Sequence, residues 1–159
     1  MNDYTTRKNT RLKDYDYSGA GYYFITICSK DKQKTFWNAS VGARIARPQL
    51  SDIGMVVEKA IEHIPHKYSS IKIDKYVIMP NHIHMIIIID NAHGRAMRAP
   101  TISTVINQMK GYVSKQIGHS IWQKLFHDHI IRDEEDYLKI WQYIDDNPQK
   151  WNEDRYYTE

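Results

Sequence analysis

The chain has 159 residues and 18.9 kDa, with 42% apolar residues, enough for a hydrophobic core without disulfides, and its 22 basic and 19 acidic residues exclude a disordered polyelectrolyte. Cys28 is the only cysteine, the polar start Met1–Arg11 lacks the apolar stretch of a secretory signal, and the longest strongly apolar run is Met85–Ile89. That run is far short of the roughly 20 residues a membrane helix needs, so the expectation is one cytoplasmic domain spanning 1–159, with a basic arm over 1–20 and a core over 21–151.

Net charge of +3 and a pI near 8.8 suit a nucleic-acid partner without requiring one. The basic residues are uneven: Arg7, Lys8, Arg11 and Lys13 gather in the arm, whereas Asp133–Asp136 is an acidic block. Gly21–Cys28 is dense in aromatic and β-branched residues and reads as the first strand, with Phe24, Thr26 and Cys28 on one face and Tyr23, Ile25 and Ile27 on the other. Ser51 then offers an N-cap to a helix over Ile53–His63, whose apolar residues recur at helical spacing until Pro65 ends it. Ile71–Met79 and Ile83–Ile89 are β-rich runs separated by Pro80-Asn81, a hairpin expected at the middle of the sheet. Thr101 or Ser103 caps a second helix that Gly118 stops, Leu125–Ile131 is a short extended piece, and a third helix begins at Asp133 and ends at Asn147-Pro148. The order fits an α+β, ferredoxin-like sandwich: an antiparallel sheet with helices on one face, and an additional C-terminal helix.

Two stretches echo one another, Gly42–Pro48 and Gly94–Pro100, each framed by Gly and Pro with interleaved Ala and Arg. Chance loop composition, arginines touching phosphates, and an imprint of palindromic GC-rich DNA within the gene are the three readings.

Asn81-His82-Ile83-His84 places two imidazoles on one strand face, where both can reach one metal and leave coordination open to phosphate oxygens. A strand this apolar has no folding reason to carry two histidines on one side, because a buried imidazole must find partners. On the last helix Tyr143 and Asn147, four apart, share a face and could bring a phenol nucleophile and an amide ligand to such a metal; packing against the sheet and helix termination are the structural alternatives. Tyr112 and Gln116 have the same spacing on the second helix, and spacing does not separate the two pairs. His127-Asp128-His129 is a second His-x-His, expected to be structural or to contact substrate. Cys28, in a strand with no neighbouring base, is not expected to be a nucleophile.

Tyr76–Ile86 with its Met-Pro-Asn-His-x-His string, Trp122-Gln123 through His129–Tyr137, and Tyr143-Ile144-Asp145-Asp146-Asn147-Pro148 together resemble the single-tyrosine HUH transposases, most closely the REP-associated tyrosine transposases. The resemblance covers roughly 21–151 and favours Tyr143 over Tyr112. It implies that the sheet presents His82 and His84 to a divalent ion, Mg²⁺ or Mn²⁺, with Asn147 as third ligand. It further implies that Tyr143 attacks single-stranded DNA beside a hairpin, giving a 5′-phosphotyrosine link and a free 3′-hydroxyl. Arg7, Lys8, Arg11, Lys13 and Arg132 are the candidate DNA contacts, and relatives act as monomers or homodimers. The alternatives are a non-catalytic nucleic-acid-binding module on the same fold and a metal phosphodiesterase that uses water.

Overall fold

Alternation along Gly21–Cys28 (β1) decides the layering. Tyr23, Ile25 and Ile27 point into the main core, fully buried, while Phe24 and Thr26 point to the opposite face. The computed structural model describes residues 19–38, 49–90 and 100–158. Arg7, Lys8, Arg11 and Lys13, and all of the two Ala/Arg stretches except Pro100, lie outside the described residues.

Asp52–Lys67 (α1) and Ile102–Ile117 (α2) cover one face of the sheet, burying Val57, Ile61, Val105, Ile106 and Val113 against it. Ile71–Ile78 (β2) and His82–Ile89 (β3) form the hairpin, and His127–Ile131 (β4) follows α2. All neighbouring strands are antiparallel, in the order β2-β3-β1-β4. This is the ferredoxin-like α+β arrangement, and Glu134–Asp146 (α3) is the added helix, seated on the other face over Phe24, Ile86 and Ile131 through Ile140 and Ile144.

Side-chain caps start all three helices: Ser51 accepts from Gly54 N, Thr101 from Thr104 N and Asp133 from Asp136 N. Gly118, at φ 91°, closes α2 in the left-handed region. Two expectations need correction. Pro65 does not end α1, which continues to Lys67; in the last turn the ring forfeits a single backbone hydrogen bond, and Ile64 stays buried. The hairpin is not central either. β2 is an edge strand, and β1 shares the middle with β3, because β1 pairs on both sides.

One glycine is fixed by close approach. A Cβ on Gly54 would fall 2.2 Å from the backbone oxygen of Phe36, an overlap that outweighs the ~1 kcal/mol helix-propensity gain of alanine. Gly54→Ala is expected to destabilise by about 1–3 kcal/mol, read as a lowered urea midpoint with unchanged slope.

Candidate active site

Register places the site. In the β1/β3 ladder His82 stands opposite Cys28 and His84 opposite Thr26, so both imidazoles lie on the face that α3 partly covers. Both are buried, 0% and 1% exposed. Asn81 fixes the first. Its Nδ2 donates to the backbone oxygens of Tyr156 (2.8 Å) and Lys32 (3.3 Å), which turns Oδ1 toward His82 Nδ1 at 2.8 Å. His82 Nδ1 is therefore the donor, and Nε2 carries the lone pair. That Nε2 has no hydrogen-bond partner and lies 3.8 Å from Asp154 Oδ2.

His84 is held between Thr26 Oγ1, 2.8 Å from Nδ1, and the Tyr143 hydroxyl, 3.2 Å from Nε2. The same hydroxyl lies 3.3 Å from Asp154 Oδ2, and its single proton serves one of these acceptors at a time. Phe24 stacks on the His84 ring at 5.2 Å, fixing its plane from the far side. His82, His84 and Asp154 each offer a ligand atom, all within 4.8 Å of one another.

Burial depresses both histidines, His82 to about 3 and His84 well below its ordinary value, with His82 adding to the effect on His84. Both are neutral at pH 7, with lone pairs available to a cation. Burial raises the Tyr143 phenol to about 12, and the Asp154 carboxylate adds to the rise; the Asn147 amide opposes it. Asn147 itself is buried beside Tyr143, yet no hydrogen bond of good geometry forms, and both polar atoms of its side chain are unpaired.

The structure thus brings together four of the groups singled out in the sequence: His82, His84, Tyr143 and Asn147. Tyr112 is not among them. It projects, half-exposed, from α2 on the opposite face of the sheet. Arg132 lies one residue past the end of β4, in a hollow that Asp74, Asp133 and Glu134 also line. His127 and His129 stand opposite Thr26 and Phe24 in the β1/β4 ladder, hence on the site's face, and both line a cleft of about 390 Å³ with His84 and Tyr143. Cys28, expected without a neighbouring base, faces His82 across the ladder; burial pushes its thiol up, away from the reactive thiolate.

Asp154 escaped the sequence reading. It follows the 3₁₀ turn Trp151–Glu153, where the chain folds back over β3 and Trp151 and Tyr156 pack around His82, with ring centroids 6.0 and 4.6 Å away. The one signal for this return was the aromatic density of Trp151, Tyr156 and Tyr157.

Asn81→Ala leaves His82 Nδ1 buried without its acceptor. It is expected to cost about 1–3 kcal/mol of stability and to weaken Mn²⁺ binding about 10–100-fold, both checked by calorimetry.

No protein-family model matches the chain. An uncharacterised protein of Haemophilus influenzae is 36% identical, over 96% of this chain and 94% of that protein. A second protein of the same organism, named as a candidate REP-associated tyrosine transposase, is 25% identical over 85% of this chain and 74% of its own length. A solved structure of a REP-associated tyrosine transposase bound to a REP hairpin superposes with a TM-score of 0.63 at 21% identity, covering 89% of this chain and 74% of that one. In sequence and in fold the chain matches REP-associated tyrosine transposases. The superposition with that transposase supports the α+β fold, a four-stranded antiparallel sheet with three helices, as the shared frame. No helix among the described residues is long and apolar enough to cross a membrane.

Proposed function

We propose that the chain is a metal-dependent single-stranded DNA endonuclease and strand transferase that acts at DNA hairpins through a 5′-phosphotyrosine intermediate. What carries this is the meeting, within one chain, of the Tyr143 hydroxyl with His84 Nε2 at 3.2 Å, from elements 59 residues apart in sequence. A phenol at the mouth of a cleft and two neutral imidazoles behind it form the donor set that phosphoryl transfer to tyrosine needs.

The residues fit a divalent cation. His82 Nε2 is a buried, unpaired lone pair, His84 is held neutral, and Asp154 supplies the charge that two imidazoles lack. His82, His84 and Asp154 would hold Mg²⁺ or Mn²⁺, with Asn147, whose amide oxygen is unpaired, as the remaining candidate. When bound, the cation polarises the scissile phosphate and offsets the charge that builds on its oxygens.

This chain's own groups do the rest. Tyr143 Oη forms the new bond to phosphorus, the bond from phosphorus to the 3′ oxygen breaks, and the phenolic proton ends, in sum, on the released 3′-hydroxyl. One phosphodiester is exchanged for another, so attack by a 3′-hydroxyl on the phosphotyrosine reverses the step without an external energy source. Phe24 and Thr26 keep the His84 ring from turning, and Asn81 does the same for His82.

The test is a 3′-labelled, hairpin-bearing single-stranded oligonucleotide, whose label stays on the fragment joined to tyrosine, incubated with Mn²⁺ or Mg²⁺, with and without EDTA. The expected product is a protein–DNA adduct that survives denaturing electrophoresis and is absent with EDTA. Metal-dependent cutting without any adduct would replace Tyr143 with water as nucleophile, and hairpin binding without cutting would leave a non-catalytic module.

A further inference from the structure

Tyr143 stands between two clefts of opposite character. The smaller, about 150 Å³, is walled by Asp146, Glu153 and Asp154, and its single cation, Lys150, is engaged by Asp146 at 3.1 Å. The larger is lined by Arg155, His127, His129 and Asp128. Among the described residues no carboxylate pairs with the exposed Arg155, whose guanidinium carbon lies 5.2 Å from the centre of the Tyr156 ring, one residue beyond Asp154. His129 is committed to Asp136 at 2.7 Å, which ties β4 to the start of α3. Among the described residues His127 makes no such pair. It faces Thr26 in the ladder, two strand spacings, about 10 Å, from His84 along the same row.

A polyanion laid across Tyr143 meets the carboxylates of Glu153 and Asp154 on one side, and on the other, beside Asp128, an imidazole and a guanidinium that no carboxylate pairs among the described residues. We infer that the cleft between Arg155 and His127 is the subsite for the nucleotide flanking the scissile phosphate. Arg155 contacts the backbone phosphate of that nucleotide, and the single strand runs from Tyr143 toward β4 rather than toward Lys150. This inference rests on single-stranded DNA being the substrate, but not on Tyr143 being the nucleophile. Arg155 is a positioning residue: it holds the strand through a neighbouring phosphate and does not touch the reacting atoms. The placement next to Asp154 has a physical consequence, since one short stretch of tail presents a carboxylate inward to the histidines and a cation outward to the strand.

The probe is fluorescein-labelled oligo(dT) of 20 nucleotides, bound by metal-free Tyr143→Phe protein so that nothing is cut, with anisotropy read from 50 to 300 mM NaCl. One lost phosphate contact lowers the slope of log K against log salt by about 0.7 on single strands. Arg155→Ala is expected to show that drop with roughly tenfold weaker binding at low salt, Arg155→Lys to restore most of the slope, and Lys150→Ala to leave it unchanged. His127→Gln is expected to weaken binding about twofold to fivefold with little change of slope. An unchanged slope in Arg155→Ala overturns the subsite, and so does a drop that appears in Lys150→Ala instead. Adduct formation by the Tyr143-containing protein is scored separately. An intact Arg155 effect without any adduct sinks the transferase chemistry and keeps the subsite, and an adduct with no Arg155 effect does the reverse.

Discussion

Tyr143→Phe is expected to abolish the proposed covalent protein–DNA adduct, by at least about a thousandfold, whereas Tyr112→Phe is expected to form it within twofold of the unchanged protein. The two tyrosines have the same helical spacing to an amide side chain, and only the fold separates them. α3 crosses the face that carries His82 and His84, while α2 buries Val105, Ile106 and Val113 against the opposite face, leaving Tyr112 with the full thickness of the sheet between it and the imidazoles. Phenylalanine keeps the ring that meets Phe24 edge-on at 6.2 Å and removes the hydroxyl that lies 3.2 Å from buried His84 Nε2. The expected stability change is therefore about 1–2 kcal/mol, and a urea melt that still shows folded protein keeps the loss of adduct from being assigned to unfolding. Quantifying adduct on denaturing gels beside a urea melt of each variant checks both halves. An adduct retained by Tyr143→Phe and lost by Tyr112→Phe would move the nucleophile to the other face of the sheet.

Much of the frame was legible because local rules and global packing agree. β1 alternates strictly, so its two faces could be assigned from the residues alone, and the face carrying Phe24 and Thr26 is the one on which the site is built. The caps at Ser51, Thr101 and Asp133 and the stop at Gly118 are backbone hydrogen-bonding requirements that short polar side chains and glycine meet in any context. Strand order is another matter. Pairing of β1 with both β3 and β4 depends on how helices cross over the sheet, which no local pattern encodes, and the hairpin was accordingly expected in the middle. Pro65 misled for a related reason: the rule that proline ends helices weighs a lost hydrogen bond but not the burial of Ile64, which holds the last turn in place.

Within the site, His82, His84, Tyr143 and Asn147 could be proposed because strand period and helix period each put a pair of them on one face. Asp154 could not. It belongs to no periodic element, and its place is set by Asn81 gripping the Tyr156 carbonyl and by the Tyr156 amide donating to Asp154 Oδ1 at 2.6 Å, contacts between segments more than 70 residues apart on one side and two on the other. The second His-x-His, expected to be structural or to contact substrate, shares that face: pairing with Thr26 and Phe24 puts His127 and His129 on the side of the sheet that carries His82 and His84.

The buried histidines make stability strongly pH-dependent, and the sign follows from the direction of their shifts. Both fold with pKa values depressed below the unfolded 6.5, His82 to about 3 and His84 well below, so the unfolded chain binds protons that the native chain refuses. Their contribution is complete above the unfolded value and drains away as pH falls from 6.5 toward the native values, at up to about 1.4 kcal/mol per pH unit for each. Between pH 7 and pH 5 the metal-free protein is expected to lose on the order of 4 kcal/mol, as the sum over two groups, and the His82→Gln/His84→Gln protein to lose far less over the same interval. Urea melts at the two pH values in EDTA decide it, and a wild-type loss no larger than that of the double variant would mean the imidazoles are charged or solvated in the native state. At pH 7 the same neutral lone pairs are open to a cation, and Mn²⁺ at a hundred times its dissociation constant is expected to add about 2.7 kcal/mol. Asp154→Asn keeps the shape of the side chain and removes its charge, and is expected to weaken Mn²⁺ at least about tenfold by calorimetry. If the affinity instead stays within twofold, Asn147 is the third ligand, because its buried amide is the remaining group beside Tyr143 with an unpaired oxygen, and Asn147→Ala then shows the loss that Asp154→Asn did not.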